Sequence, residues 1–214
     1  MFGKKIVNGD EFYVINNAVD ISKFEYNPKI RDEYRKKFNI ENKTVYIQVG
    51  NFVPEKNHVF SVDLINKIKD YNDEIKLFIV GDGDQRNNIE NEIKKYNLIE
   101  YVELLGFRKD VNNLLQMADY YLMPSTFEGL SLAAIEAQAS GINCVFSDKI
   151  DISTKVSSVC EFVELDINKW CDITINSKIE RKNTKKEIVK SGFDIKTTSE
   201  WLQDFYLECT NEYK

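Results

Sequence analysis

Two glutamates, Glu128 and Glu136, stand out in the stretch PSTFEGLSLAAIEA at positions 124–137. Glu128 precedes the expected start of a helix, and Glu136 lies about five residues inside it, on the order of 7 Å along the axis. The first N–H groups of a helix have no intrahelical partner and can receive phosphate oxygens. A carboxylate at that reach suits a ribose attached to bound phosphates. Taken singly, each glutamate is more simply a solvated surface residue.

A second candidate is the sequence GNFVPEKN, which follows the apolar run at residues 45–49. Gly50 permits a turn, and Lys56 lies beside the start of a predicted helix for which Asn57 is the candidate N-cap. A diphosphate there would meet a mobile ammonium group and the positive end of a helix dipole together. Considered alone, the loop is more simply an ordinary connection with a solvated lysine.

The third candidate is Gly81-Asp82-Gly83-Asp84, directly after another apolar run. The glycines permit a tight turn with close backbone approach, and Asp84 is expected to cap the next helix. The third glycine of a dinucleotide fingerprint would fall at Arg86, and no GxxxxGK[ST] loop exists in the chain. Asp82 and Asp84 also have the D-x-D spacing that can hold a divalent ion. Turn formation and capping explain that spacing more simply, so no metal site is predicted.

The elements that must position these residues form an α/β pattern. From residue 45 onward, short apolar runs rich in β-branched residues alternate with segments of helical period, which predicts an open, mostly parallel sheet flanked by helices. Strands are expected at residues 45–49, 76–80, 101–104, 120–123 and 144–146. Ligands of such sheets bind at the carboxyl ends of the strands, so the three candidates are expected at one edge.

Both ends of the chain differ from this middle. Residues 1–44 carry a strand candidate at 12–15 and a charged helix candidate at 29–38, so they are interpreted as a lead-in. Residues 45–190 are predicted to form the Rossmann-like domain. Residues 191–214 are predicted to form an amphipathic helix on which Trp201, Leu202, Phe205 and Tyr206 share one face.

Composition limits the classes of function. The 214 residues are 43% hydrophobic and 30% charged, typical of a globular protein with one sizeable core. The net charge of −6 and dispersed basic residues disfavour a nucleic-acid surface. No apolar run reaches membrane-spanning length and no signal peptide is visible, so a cytoplasmic location is expected. The four cysteines lack metal-site spacing and are expected to be reduced and structural: Cys144, Cys160, Cys171 and Cys209.

In their order along the chain, these motifs resemble the C-terminal domain of retaining glycosyltransferases with the GT-B fold, the group 1 or family 4 class. The similarity covers roughly residues 40–165. It is carried by Gly50 to Asn57, Gly81-Asp82-Gly83, Gly106-Phe107, Ala118-Asp119, Pro124-Ser125 and the pair Glu128 and Glu136. Phe2-Gly3-Lys4 and the stretch from Val14 to Asp20 are similar to the linker between the two domains of such enzymes, so residues 1–44 would include that linker. By this resemblance the N-terminal, acceptor-binding domain is missing, and the chain alone is catalytically incomplete.

The resemblance implies a hexosyltransferase half that binds a nucleotide-diphosphate sugar, such as a UDP-sugar. It implies no metal or other cofactor and no nucleic-acid partner. Lys56 would contact the diphosphate, Glu128 the donor-sugar hydroxyls and Glu136 the ribose. Lys56 and Glu128 would be the catalytic residues. The implied binding set is Gly50, Asn51, Lys56, Gly81, Gly106, Phe107, Arg108, Glu128, Gly129, Leu130, Ser131, Leu132, Ala133 and Glu136, with N–H groups near 132–133 on the phosphates and residues 106–108 near the base.

The implied acceptor is a glycan or lipid-linked sugar in capsular or cell-surface polysaccharide synthesis, which would allow a peripheral position of the full-length enzyme at the inner membrane face. The family's usual retaining mechanism is front-face attack, in which Glu128 positions the sugar. A carboxylate nucleophile remains an alternative. His58, the single histidine, is interpreted as a helix-end residue.

One departure from the family pattern concerns phosphate affinity. Many members have an arginine directly after the first-strand glycine, where this sequence has Asn51. Asparagine can donate a hydrogen bond but cannot neutralise charge. Weak phosphate affinity is therefore expected, or a contribution from outside the chain.

Three other functions stay open at this stage. A nucleotide-sugar 2-epimerase of the same fold would use a similar donor without an acceptor. A noncatalytic nucleotide-sugar sensor would bind the donor without turnover. A flavodoxin-like interaction module, acting through its C-terminal helix, would bind no nucleotide sugar at all.

Overall fold

Apolar runs form six parallel strands in a computed structural model that describes residue 13 and residues 15–212. The strand order is β3-β2-β1-β4-β5-β6, so the order reverses between β1 and β4. This reversal is the topological switch point of a Rossmann-like sheet, which is the predicted fold. The strands are β1 (Thr44–Val49), β2 (Ile75–Val80), β3 (Val102–Gly106), β4 (Tyr120–Met123), β5 (Asn143–Ser147) and β6 (Cys160–Val163).

Helices cover both faces of this sheet, and alternate side chains of each strand enter two separate cores. Ile47 and Tyr121 face one core, whereas Tyr46 and Leu122 face the other. Because both faces are covered, the strands are apolar almost throughout. The helices are α1 (Ile21–Phe24), α2 (Pro28–Lys37), α3 (His58–Ile68), α4 (Arg86–Lys95), α5 (Val111–Met117), α6 (Leu132–Ala139), α7 (Ile167–Asn176), α8 (Lys185–Lys190) and α9 (Ile195–Glu212).

Helix α2 lies within the lead-in and matches the predicted charged helix. It begins at Pro28, a residue suited to the first helical position, and the side chain of Asn27 accepts hydrogen bonds from the N–H groups of residues 29 and 30. The helix packs against α5, and Tyr34 and Ile40 join the core on that side of the sheet. The lead-in thus contributes to the packing of the sheet.

The predicted strands and helices of the middle segment are confirmed, with shifts of one or two residues at their ends. Strand β6 was not predicted, because its four residues include exposed Glu161 and lie at the sheet edge. The strand candidate at 12–15 falls largely on residues outside the described ones, and Tyr13 and Ile15 are not in a strand. The helix predicted within residues 191–214 is confirmed as α9, which begins at Ile195.

The expectation for the cysteines can also be checked. Three cysteines are buried free thiols, as predicted: Cys144, Cys160 and Cys171. The side chain of Cys209 lies outside the described ones. Within residues 15–212, none of the helices combines the length and apolarity that a membrane crossing needs.

Candidate functional site

The loop after β1 brings Lys56 to Glu128. A short 3-10 turn, Pro54–Lys56, follows the strand, and Asn57 then adopts a left-handed backbone before α3 begins. The lysine stem crosses Gly50 so closely that a Cβ there would lie 3.3 Å from Cε of Lys56. The ammonium lies 2.5 Å from Oε2 of Glu128, and the two side chains are 18% and 20% exposed. These residues, which were predicted to be catalytic, therefore form a partly buried ion pair.

Asn57 occupies the N-cap position of α3, as predicted, but its side chain makes no capping hydrogen bond. An N-cap residue normally has an extended backbone, whereas Asn57 has φ 51° and ψ 48°. Its amide instead donates to the carbonyl oxygen of Pro124 at 3.2 Å. The N–H of Thr126 donates to the carbonyl oxygen of Glu55 at 2.8 Å. The loops after β1 and β4 are thus fastened to each other beside Lys56 and Glu128.

The loop after β2 packs directly on the first loop, and its glycines allow this. A Cβ on Gly81 would lie 2.0 Å from the carbonyl oxygen of Gly50, and one on Gly83 would lie 2.7 Å from that of Phe52. Both glycines have positive φ, at 138° and 153°. The N–H of Gly81 also donates to the carbonyl oxygen of Gly106 at 2.9 Å, which joins the loop after β3 to this edge.

Asp84 does not cap the next helix, so that capping prediction was wrong. Helix α4 begins at Arg86, and Gln85 occupies the N-cap position without a side-chain bond. Asp82 accepts from the N–H of Gly83 and pairs with Arg86 at 2.9 Å. Among the residues that the structure describes, no group of three histidine, cysteine, aspartate or glutamate side chains could hold a metal ion.

Helix α6 presents an uncapped N-terminus at this edge. Ser131 occupies the N-cap position with an extended backbone, and its side chain makes no capping bond. The N–H groups of Leu132 and Ala133 have no intrahelical acceptor by helix geometry. The preceding loop is held in place because the carbonyl oxygen of Glu128 accepts from the N–H of Asp151 at 3.2 Å. An anion could therefore bind at the start of α6 without displacing a side chain.

Glu136 lies on α6, and its carboxylate has no hydrogen-bond or ion-pair partner among the described residues. Burial raises its pKa. Burial also raises the pKa of the Tyr121 phenol, and the charges of Glu136 and Glu128 raise it further. The Tyr121 hydroxyl lies 3.5 Å from the carbonyl oxygen of Val49. One phenol thus lies within electrostatic reach of both glutamates at the carboxyl end of β1.

Residues 106–108, expected near the base, divide into two environments. Phe107 is 77% exposed and projects from the edge. Arg108 is engaged by Asp110 through two hydrogen bonds of 2.8 and 2.6 Å, and Asp110 also accepts from Tyr34. The arginine is therefore held against the lead-in helix rather than free for a ligand.

The remaining predicted residues lie around the same edge, with one exception. Asn51, Gly129 and Leu130 are exposed in the loops that carry Lys56 and Glu128. Asp119, from the motif Ala118-Asp119, precedes β4 at the opposite, amino edge of the sheet. There it accepts hydrogen bonds from Arg31 and Arg35 and from the backbone N–H of residue 45. This part of the motif joins α2 to the sheet.

His58 begins α3, as predicted for a helix-end residue. Its ring is 2% exposed, packs at 4.8 Å against Phe52, and finds no hydrogen-bond partner for either nitrogen among the described residues. Burial and, to a lesser extent, the charge of Lys56 together lower its pKa to about 4. Sequence reasoning did not anticipate Tyr121 or the buried Gln48 at this edge. A polar residue inside the otherwise apolar run at 45–49 was the available signal for Gln48.

Comparison with known proteins identifies the family. The model of the glycosyl transferases group 1 family matches residues 30–162. This chain belongs to that family. This chain is 32% identical over 195 residues to the putative glycosyltransferase EpsF of Bacillus subtilis. The match covers 89% of this chain and 50% of that protein.

Two further relatives of this group 1 glycosyl transferase chain have more specific names. It is 29% identical to the UDP-Gal:alpha-D-GlcNAc-diphosphoundecaprenol alpha-1,3-galactosyltransferase of Escherichia coli, over 91% of the chain and 54% of that enzyme. It is 30% identical to the capsular polysaccharide biosynthesis glycosyltransferase CapH of Staphylococcus aureus, over 77% of the chain and 48% of that protein. The chain spans about half the length of these relatives.

Solved structures show the same fold. Anabaena Alr3699/HepE, in complex with UDP and glucose, superposes with a TM-score of 0.77 at 18% identity, over 91% of this chain and 56% of that one. The C-terminal domain of the group 1 family protein LpcC from Francisella tularensis superposes with a TM-score of 0.67 at 17% identity. That match covers 83% of this chain and all of the LpcC domain. The group 1 chain therefore has the Rossmann-like fold of one GT-B domain.

Proposed function

We propose that this chain is the donor-binding half of a retaining glycosyltransferase and that it binds a nucleotide-diphosphate sugar, with a UDP-sugar as the first candidate. The observation that carries the proposal is the meeting of three groups at one sheet edge: the Lys56 ammonium, the Glu128 carboxylate and the uncapped N-terminus of α6. Such a set of groups can bind a ligand in which an anionic group lies next to a carbohydrate hydroxyl. The UDP and glucose bound by Alr3699/HepE support this choice.

In this function the diphosphate is held between Lys56 and the N–H groups of residues 132 and 133. Cleavage of the bond between the anomeric carbon and the phosphate leaves negative charge on the nucleotide diphosphate. An ammonium and preoriented N–H groups stabilise that charge as it develops. An ammonium has three N–H donors, so Lys56 can contact phosphate while still bonded to Glu128. This account requires no metal ion.

Glu128 and Glu136 receive the hydroxyls of the donor. Glu128 is oriented by Lys56 and has acceptor capacity left for the sugar, which it positions for front-face attack by the acceptor. Glu136 offers an unpaired, partly buried carboxylate to the ribose. Exposed Phe107 provides an apolar surface for the base. Asn51 adds no positive charge, so we expect the chain alone to bind phosphate weakly.

The acceptor in this proposal is a glycan or a lipid-linked sugar, and acceptor-binding groups come from an N-terminal GT-B domain. The names of the relatives from Escherichia coli and Staphylococcus aureus support a role in capsular or cell-surface polysaccharide synthesis. Such a role places the enzyme in the cytoplasm, with a peripheral position at the inner membrane face when the acceptor is lipid-linked.

Calorimetry on the chain tests the donor site with UDP, GDP, ADP and the UDP-sugars. Lys56→Met is expected to weaken UDP binding. Glu128→Gln should leave UDP affinity unchanged but reduce the additional affinity for UDP-glucose or UDP-galactose, because an amide oxygen is a weaker acceptor than a carboxylate. The control Lys29→Met removes an exposed lysine on α2, away from the site, and should change neither affinity. Equal UDP affinity in the wild type and Lys56→Met would refute the diphosphate site.

Turnover distinguishes a transferase from the other nucleotide-sugar proteins. The chain is combined with an N-terminal domain from a related group 1 enzyme, and sugar transfer to a lipid-linked acceptor is measured. Transfer that depends on Glu128 supports the proposal. Binding of UDP-sugar without transfer would favour a sensor, and conversion of the free donor would favour an epimerase.

A further inference from the structure

A buried hydrogen-bond chain runs from α3 through β1 to the turn that carries Lys56. The hydroxyl of Ser61, on α3, donates to Oε1 of Gln48 at 2.7 Å. The Nε2 of Gln48 donates to the backbone carbonyl oxygen of Lys56 at 2.8 Å. Gln48 is 2% exposed and Ser61 is fully buried. Because a carbonyl oxygen can only accept, the bond to Lys56 fixes the orientation of the Gln48 amide.

We propose that Gln48, oriented by Ser61, is a positioning residue that aims the Lys56 ammonium at the donor diphosphate. This inference rests on the proposed function, since it gives Lys56 the phosphate contact. Gln48 lies in β1 among residues that are otherwise apolar, where a buried amide is costly unless both of its ends are bonded. A leucine or valine would fill the same space between sheet and helix. We therefore attribute the presence of an amide at this position to its hydrogen bond with the Lys56 turn.

The geometry of that turn explains why it needs a brace. Lys56 ends the Pro54–Lys56 turn, and the next residue has the left-handed backbone that reverses the chain into α3. The loop after β4 holds the turn from outside, through its bonds to Glu55 and Asn57. Gln48 holds the turn from the buried side, through its hydrogen bond to the backbone carbonyl oxygen of Lys56, the residue whose side chain would contact the diphosphate. A shift of that peptide would move the root of the lysine side chain directly.

A double-mutant cycle with UDP and uridine as probes tests the positioning role. Gln48→Leu is expected to raise the Kd for UDP by roughly 3- to 10-fold, the effect of about one hydrogen bond. The Kd for uridine should stay the same, because uridine has no phosphate for Lys56 to contact. In Gln48→Leu/Lys56→Met, the Kd for UDP should match that of Lys56→Met alone. Ser61→Ala should show the same pattern with a smaller change.

Gln116→Leu is the matched control. Gln116 is a glutamine that is 1% exposed and bridges two backbone groups, the carbonyl of Phe24 and the N–H of Asn27, away from the site. Its loss should lower the thermal midpoint without changing the Kd for UDP. Should Gln48→Leu fail to fold, Gln48→Met and Ser61→Ala carry the same cycle, since both keep most of the buried volume.

The outcomes separate the two proposals. An unchanged Kd in Gln48→Leu and Ser61→Ala, with a raised Kd in Lys56→Met, overturns the positioning role and leaves the donor site standing. An equal rise in both Lys56 backgrounds, or an equal loss of uridine affinity, shows a purely structural role. An unchanged Kd in Lys56→Met overturns the donor site, and the positioning role with it.

Discussion

The Glu136 carboxylate is partly buried on α6 and has no hydrogen-bond partner among the described residues, and burial raises its pKa. The folded chain therefore holds the proton on Glu136 more strongly than the unfolded chain does. As the pH rises from the ordinary pKa of 4.5 through the raised pKa, the folded state loses stability, and above that range the loss is complete. Glu136→Gln removes the ionisation, so we expect the variant to be more stable at neutral pH while binding nucleotide less tightly.

The sizes of the two effects can be set from general values. Relief of an unfavourable charge yields about 1 kcal/mol, which raises the midpoint of a domain of this size by about 2–4 °C. Replacing a hydrogen bond to a charged group, worth about 1.5–3 kcal/mol, by one to a neutral amide, worth about 0.5–1.5 kcal/mol, should weaken nucleotide binding by about 5- to 10-fold. Stability and affinity should therefore change in opposite directions, which loss of folding would not produce.

Thermal unfolding and calorimetry measure both effects. UDP is compared with UDP that lacks both ribose hydroxyls: the wild type should prefer UDP, and the preference should be smaller in Glu136→Gln, because an amide oxygen is a weaker acceptor than a carboxylate. Glu33→Gln, on an exposed face of α2, is the control and should change neither quantity. A variant that prefers UDP as strongly as the wild type does refutes the ribose contact. A variant with a lower midpoint refutes the argument from burial.

Three further expectations concern stability. Gly81→Ala should cost about 3 kcal/mol in urea unfolding, because its Cβ would lie 2.0 Å from the carbonyl oxygen of Gly50, whereas Gly129→Ala, with open space around it, should be nearly neutral. Wild-type stability should fall as the pH drops from 6.5 to about 4, because the unfolded chain protonates His58 first, and His58→Leu should flatten that part of the curve. Asp119→Asn should cost about 3–5 kcal/mol by leaving two arginines without their carboxylate, with an unchanged Kd for UDP in the folded fraction.

The sheet and the grouping of site residues could be predicted because each depends on local pattern or on a topological rule. Apolar runs of four to six residues between helical segments specify parallel strands. Once the sheet is parallel, the loops after β1, β2 and β4 must meet at its carboxyl edge. The contact between Lys56 and Glu128, which lie 72 residues apart in the chain, follows from that rule.

Bonds between side chains and distant backbone could not be predicted in the same way. Asn57 has the residue type of an N-cap, and only its left-handed backbone and the nearby carbonyl of Pro124 turn it into a donor. Asp84 failed as a cap because α4 begins two residues later, after Gly83 has packed on Phe52. Arg108 could not be assigned from sequence to Asp110 or to a ligand. Each of these depends on which partner the tertiary structure brings near.

The two edges of the sheet differ in how completely their polar groups are satisfied. At the amino edge, Asp119 is 3% exposed in its side chain and takes two guanidinium groups and a backbone N–H. At the carboxyl edge, Ser125 Oγ and both nitrogens of His58 lack a hydrogen-bond partner among the described residues, and the start of α6 has no side-chain cap. Among the described residues, one other buried side-chain atom lacks a hydrogen-bond partner, the Oδ1 of Asp63 on α3.

Unpaired buried polar groups cost stability, so a fold without another use for that edge would pair them as it pairs Asp119. The same strand, β4, lies between the paired Asp119 before its start and the unpaired Ser125 after its end. Ser125 Oγ and the His58 nitrogens are buried, so the groups that a ligand with phosphate and hydroxyl oxygens can reach are the Glu136 carboxylate and the N–H groups at the start of α6. In the proposed function, the carboxyl edge gives up stability in the free chain for the groups that bind the donor: the unpaired Glu136 carboxylate and the uncapped start of α6.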